Sequence, residues 1–466
     1  MTSKISFIKN TGLYFVGNSL SKIITFFLLP LYSKYLLPED FGYYDLSLAY
    51  VMLAIPLITS EIYVGMMRFM KEKDVSEIRI KKILSSGSIS LILFIAVLLI
   101  VWYLNYLFLH INYFELICFY ALALVLQRYY TYITRALNQN TAFVISGIIC
   151  TLFIAILNFI FILYFKLGIV SLFLAGIIGI LIQLIFLEWT IKLRSKLSIR
   201  LIDFKLFKEL IYFTLPLSIG SILFFFLIYY NKTVIENELG LSANGYYAIA
   251  GKFTVAIAFL TSAFTMAWQD MSFSMGQSSS EFEKLAKGIK YYMIFLIFGG
   301  SIIIYLVQFI FPFIIDNNYI DSYQIISLSI LVTIIAALGD FISQTLLAIK
   351  ESRIILYTSI GATLLNLIII KYLVIRYGVN GVNISLTLVY SLSLIVRLIY
   401  LKNKFNFKLN FLLFPSLLVY ILITCVVYAT KNSSYSFIGL ILSTIMLLFI
   451  LRKEIIHSFN YIFQKK

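Results

Sequence analysis

The sequence predicts an all-α integral membrane protein of about fourteen transmembrane helices, and three observations carry that expectation. Of 466 residues, 61% are hydrophobic and only 12% charged, with a mean hydropathy of +0.97, far from the composition of water-soluble domains. Apolar runs of about 20 residues recur from end to end, each long enough to cross a hydrocarbon core of ~30 Å at ~1.5 Å per helical residue. The basic residues between those runs cluster on alternate sides. The ten-residue alternation of apolar and polar residues that a β-barrel requires is absent.

In chain order, the spans begin near residues 11, 42, 83, 114, 142, 167, 211, 245, 291, 323, 354, 379, 411 and 436. Thr11 to Tyr35 is followed at once by a second span and has no small-residue cleavage site, so it is expected to remain as a helix rather than a removed signal. The short acidic turn Leu37-Pro38-Glu39-Asp40 joins it to the second span, Gly42 to Met67. With the amino terminus placed in the cytoplasm, the inner segments hold 26 Lys and Arg residues and the outer segments six. The inner ones include Lys4 and Lys9, the group from Arg68 to Lys82, the group from Lys192 to Lys208, Lys402 to Lys408, and Lys465 with Lys466. The outer ones are Lys34, Lys166, Lys232, Lys371, Arg376 and Lys431. The positive-inside rule then puts both termini in the cytoplasm of a cell (inner) membrane protein. It also accounts for the net charge of +16 without nucleic acid as a partner.

An internal repeat divides the chain. A shift of 203 residues lays Gly17 on Gly220 and Gly42-Tyr43-Tyr44 on Gly245-Tyr246-Tyr247, and Asn158 with Gly168 corresponds to Asn366 with Gly378 at slightly larger shifts. Both hairpins enter from the same side, so the repeats are parallel, related by an axis along the membrane normal. The expected division is an amino-terminal six-helix lobe over 1–203, a carboxy-terminal one over 204–401, and two added helices with a tail over 402–466.

Five basic residues fall inside spans: Lys22, Arg128, Arg135, Lys252 and Arg397. Lys22 and Arg128 lie near mid-membrane, where a cation is costly unless it faces a wet cavity or a partner. The alternative to a cavity is an ion pair, with Glu61 of span two as the candidate partner. Lys252 and Asp340 lie too deep to reach the surface easily, and ion pairing or ion coupling is open for Glu61 and Asp340 alike. Arg68, Arg135, Glu188, Asp270 and Arg397 lie near the cytoplasmic ends, where headgroup anchoring is the expected role. The two histidines, His110 and His457, are far apart. Cys118, Cys150 and Cys425 have no metal-ligand spacing, so no catalytic residue, cofactor or metal is expected. Tyr129-Tyr130 and Tyr229-Tyr230 are candidates for stacking on sugars.

Gly17-Asn18-Ser19, the run Leu36-Leu37-Pro38-Glu39-Asp40-Phe41-Gly42-Tyr43-Tyr44, and Asn366 with Tyr377-Gly378-Val379-Asn380-Gly381 resemble Wzx-type polysaccharide repeat-unit flippases, which serve O-antigen and capsule synthesis. These belong to the multidrug/oligosaccharidyl-lipid/polysaccharide exporter superfamily. The resemblance implies a two-lobed transporter, not an enzyme, that turns an undecaprenyl-diphosphate-linked oligosaccharide from the inner to the outer leaflet by alternating access. It further implies the lipid bilayer, a polysaccharide polymerase and a chain-length regulator as partners. By the same resemblance Lys22, Arg68 and Lys252 line a cationic cavity for the diphosphate, and Arg128 joins them by its depth. Where relatives carry arginine, Lys22 and Lys252 keep the charge but lose the bidentate fork. The competing expectations are a small-molecule or multidrug exporter of the same superfamily and, from another class, a membrane-embedded polymerase or ligase. The latter usually has a large outer catalytic loop, and this chain's outer loops are short.

Overall fold

The structure is a computed structural model describing residues 22–72, 75–261, 264, 268, 279–349, 351–405 and 413–463. Among the described residues it is helical throughout, with no strand. Lys4, Lys9, Gly17-Asn18-Ser19, Asp270, Lys408, Lys465 and Lys466 lie outside the described residues. Among the described residues eleven helices are long and apolar enough to cross a membrane, and Leu413–Ala429 is a shorter apolar one. The remaining two expected spans, the first and the eighth, run into residues outside the described ones. Each such helix satisfies its interior backbone polar groups within itself, as hydrocarbon requires.

The first compact unit comprises Met1–Glu236 and Gly240–Gly245. Its helices are α1 (Leu29–Tyr35), α2 (Pro38–Thr59), α3 (Ile62–Met70), α4 (Glu77–Gly87), α5 (Ile89–Leu104), α6 (Phe114–Ala136), α7 (Asn140–Leu163), α8 (Val170–Ile191), α9 (Phe204–Ile228) and α10 (Tyr230–Leu239). Pro38 opens α2 at a position where a missing N–H costs nothing, and Glu39 and Asp40 favour the positive helix start. The densest packing is of α8 on α6 and α7. It is helped by Gly176, which lies against the Tyr120 ring, and Gly179, which lies against Ile154. The expected lobe boundary follows the sequence repeat, whereas packing divides the chain later: α9 lies on α2, α3 and α4 and so joins the first unit.

The two glycines that anchored the repeat come together within this unit. A Cβ built on Gly42 would overlap the Leu241 carbonyl oxygen and stand 2.7 Å from the Gly245 nitrogen, and one built on Gly245 would overlap the Pro38 carbonyl oxygen. Pro38 and Leu241 are themselves 203 residues apart, so each repeat-related residue meets the other's counterpart, as at a twofold axis. The buried Asn244 side chain adds a hydrogen bond from Nδ2 to the Gly42 carbonyl at 3.0 Å. Nearby, the Lys232 ammonium of α10 pairs with Asp45 of α2 at 2.6 Å, both side chains mostly buried, and Tyr50 and Thr233 share a hydrogen bond at 3.1 Å. Removing either charge leaves the other half-buried and alone. Asp45→Asn or Lys232→Met is therefore expected to cost about 1–3 kcal/mol, with the double variant losing less than the sum when thermal unfolding is followed in detergent.

The second compact unit comprises Asn237–Leu239 and Tyr246–Lys466. Its helices are α12 (Ser279–Ile314), α13 (Tyr323–Ala348), α14 (Ser352–Tyr377), α15 (Asn380–Phe405), α16 (Leu413–Ala429) and α17 (Ser433–Phe463), with α11 (Leu241–Phe253) shared between the units. Here α15 packs on α13 and α14, while α12 packs on α17, α13 and α16. Buried amides and hydroxyls tie the first group. The Asn383 side chain donates to Ser329 Oγ at 3.1 Å, and Ser385 donates to Asn366 Oδ1 at 2.7 Å. Asn366 and its repeat counterpart Asn158 are both buried, as polar groups inside hydrocarbon must be.

Candidate functional site

The span expected to run unbroken from Gly42 to Met67 is interrupted at mid-length. Helix α2 ends at Thr59, Ser60 (φ 48°, ψ 27°) and Glu61 (φ 52°, ψ 33°) are left-handed, and α3 starts at Ile62. A left-handed residue other than glycine costs ~1–2 kcal/mol, so two in succession mark a backbone held in place by its surroundings. Local bonds hold the break: the Ser60 amide donates to the Pro56 carbonyl at 3.0 Å, and the Glu61 amide donates to Thr59 Oγ1 at 3.3 Å. The only sequence signal was Pro56, which removes one helical donor just before the break. Ser60→Gly, which removes the clashing Cβ, is expected to raise the unfolding temperature by about 1–2 °C. Ser60→Pro, with φ fixed near −65°, is expected to lower it, both read by thermal unfolding of the purified protein.

This break presents Glu61 to the interior of the first unit. Its Oε1 accepts a hydrogen bond from Ser221 Oγ of α9 at 3.0 Å, and among the described residues it forms no ion pair. Beside it, Tyr63 is fully buried, its ring 4.9 Å from Tyr132 and 5.7 Å from Tyr129 by centroids. Its hydroxyl lies within electrostatic reach of both Arg128 and Glu61. Arg128 of α6 is half-buried with Nη2 3.3 Å from the Met52 sulfur. The expected pairing of a mid-membrane cation with Glu61 is thus not formed: the carboxylate is engaged by a serine, and the guanidinium faces a thioether and a tyrosine.

Lys22 is half-buried and helical, and no hydrogen bond or ion pair reaches it among the described residues. Arg68, in the last turn of α3, is exposed. In the second unit Lys252 is half-buried in α11 and Asp340 of α13 is exposed. Among the described residues neither Lys22 nor Arg68 forms an ion pair. The structure therefore brings Arg128 and Glu61 to one neighbourhood, around Tyr63.

Three expectations change. Arg397 is not a headgroup anchor: it is 7% exposed and held by neutral acceptors from two neighbouring helices. Its Nε donates to Thr358 Oγ1 at 2.9 Å, Nη1 to Ser343 Oγ at 2.7 Å and to the Gly339 carbonyl at 3.1 Å, and Nη2 to Ser359 Oγ at 3.3 Å. Asp340 lies within its electrostatic reach. Glu188 is turned inward by the Tyr130 hydroxyl at 2.9 Å and the Arg194 amide at 3.1 Å. Tyr129 is 2% exposed and bonded to Ser90, so it has no face for a sugar. A polar line that the sequence did not reveal crosses the first unit at mid-membrane: Gln127 donates to Gln183 at 2.6 Å, and Gln183 donates to Ser146 at 3.1 Å. Amides spaced singly in apolar helices give no sequence signal until the helices are packed.

The model of one family, polysaccharide biosynthesis protein, matches residues 7–269, more than half of the chain. The chain belongs to that family. Among curated proteins, none matches the sequence. Solved structures that share the fold include an inward-facing multidrug resistance MATE family transporter of the MOP superfamily, 14% identical over 85% of this chain and 94% of that one, with a TM-score of 0.64. The lipid II flippase MurJ in an inward closed conformation is 17% identical over 94% of this chain and 99% of that one, with a TM-score of 0.63. A MOP superfamily transporter from Pyrococcus furiosus, described as having a binding pocket of reversed polarity, is 16% identical over 86% and 95%, with a TM-score of 0.54. The family member described here is thus a multi-pass membrane protein with a transporter fold.

Proposed function

We propose that this protein is a flippase that carries an undecaprenyl-diphosphate-linked oligosaccharide from the inner to the outer leaflet of the cytoplasmic membrane by alternating access. The fold is shared by a multidrug transporter and a lipid flippase, so it does not choose between them, and charge does. The observation that carries the reading is the pair of mid-membrane cations, Lys22 and Arg128, left without a carboxylate while Glu61 is engaged by Ser221. A cation kept in hydrocarbon without a carboxylate to balance it calls for an anionic ligand, and a diphosphate is one. Family membership supports a saccharide attached to it.

In this reading Lys22, Arg68, Arg128 and Lys252 contact the diphosphate, and Glu61 and Asp340 balance charge or couple ion movement. The sugars occupy a wet lumen and the polyprenyl tail stays in the bilayer. The work is transport without bond making, both termini are cytoplasmic, and a polymerase and a chain-length regulator take the unit onward. The test is a strain lacking this protein. It should accumulate lipid-linked repeat units that an added periplasmic glycosidase cannot reach, and the wild-type chain should restore access. Units equally accessible in both strains, together with altered resistance to cationic drugs, would instead establish the exporter.

A further inference from the structure

A cavity of about 640 Å³ opens in the first unit between α4–α5, α6 and α8, a volume within the ~300–1,000 Å³ of small-molecule sites. Its wall is mostly apolar, including Leu84, Leu91, Leu126, Leu181 and Ile185, and Trp189 stands at its edge. A stretch of short 3-10 turns, Leu193–Lys196 and Ile199–Leu201, closes the end that carries the basic loop. That stretch is fastened to α4 by the Ser198 amide on Ser85 Oγ at 3.0 Å and the Asp203 amide on Ser86 Oγ at 2.9 Å. The rim is therefore built rather than loose.

The polar groups on that rim are Tyr130, Glu188 and Arg194. Each carboxylate oxygen of Glu188 already accepts a hydrogen bond, one from the Tyr130 hydroxyl and one from the Arg194 amide. The exposed Arg194 guanidinium lies against the Tyr130 hydroxyl and forms no ion pair among the described residues, so the donors it turns away from Tyr130 are open to an oxyanion. Lys192, Lys196 and Arg200 flank it, and this side faces the leaflet whose lipids are anionic. An apolar cavity with an exposed guanidinium at its rim matches one kind of molecule.

We propose that this cavity binds an anionic phospholipid of the inner leaflet, an acyl chain between α4–α5 and α8 and the phosphate on Arg194. The site is distinct from the cations assigned to the transported diphosphate, and nothing in it depends on that assignment. Trp189 reports on it directly. The full-length protein is placed in phosphatidylcholine vesicles containing increasing fractions of acyl-brominated phosphatidylglycerol or acyl-brominated phosphatidylcholine. The Trp189 fluorescence is taken as the difference from Trp189→Phe, which leaves the other two tryptophans as background. Brominated phosphatidylglycerol is expected to half-quench the signal at a several-fold lower mole fraction than brominated phosphatidylcholine. Arg194→Gln should remove that preference, Arg194→Lys should keep most of it, and Leu126→Phe, which fills the cavity, should weaken quenching by both. Equal quenching by the two lipids, or a preference undiminished in Arg194→Gln, would overturn the proposal. So would protection by a small fraction of undecaprenyl phosphate where unbrominated phosphatidylglycerol gives none, which would assign the cavity to the carrier lipid.

Discussion

Gly245→Ala, and separately Gly42→Ala, is expected to remove most of the folded protein from the membrane, a large effect for a single methyl group. In each case the added Cβ would overlap a backbone carbonyl oxygen, of Pro38 or of Leu241, and backbone in the first turn of a helix has no rotamer with which to move aside. Overpacking of a yielding core typically costs ~1–3 kcal/mol, and here the obstacle does not yield. The check is the amount and the unfolding temperature of purified protein beside Gly147→Ala and Gly361→Ala, where a Cβ meets open space. Those two should behave as wild type. Wild-type behaviour of Gly245→Ala would mean that the two helix starts do not touch.

The second large effect concerns transport rather than folding. Lys22→Ala and Lys252→Ala are each expected to abolish surface polysaccharide without loss of the protein from the membrane, because each removes a cation assigned to the diphosphate. A hydrogen bond to a charged group is worth ~1.5–3 kcal/mol, which corresponds to flipping slowed about 10- to 100-fold. Arg128→Ala should behave likewise, whereas Lys22→Arg should retain function, since it keeps the charge and adds a fork. Immunoblots of the membrane fraction and of surface glycan from the same cells separate the two outcomes. Normal glycan in both lysine variants would sink the cavity assignment.

Much of the fold was legible because it is written in composition and spacing. The spans follow from the length of apolar runs, which needs no tertiary information. The shift that lays Gly42 on Gly245 also picked out two residues that turn out to touch. What was not legible depends on contacts distant in sequence. The break at Ser60–Glu61 uses two residues that normally avoid the left-handed region, and beside its local bonds the Glu61 side chain is held by Ser221 of α9, far away in sequence. Arg397 sits near enough to a helix end to suggest snorkelling. Gly339 and Ser343 of α13, with Thr358 and Ser359 of α14, instead form a pocket for it, a combination visible only after the helices are side by side. Tyr129 and Tyr130 are adjacent in sequence yet have different partners, one buried against Ser90 and the other bonded to Glu188, since neighbours in a helix point about 100° apart.

In the proposed function, mid-membrane cations of this protein move a diphosphate-linked saccharide across the bilayer. Its most direct test is flipping in proteoliposomes that contain the purified chain and a fluorescent undecaprenyl-diphosphate-linked oligosaccharide, followed by the fraction open to a membrane-impermeant quencher. The account predicts that the protein makes the inner-leaflet pool accessible with time. It also predicts that this is lost in Lys22→Ala/Arg128→Ala and that an otherwise identical neutral saccharide lipid is not moved. Equal movement of the neutral lipid, or unchanged flipping in the double variant, would contradict it.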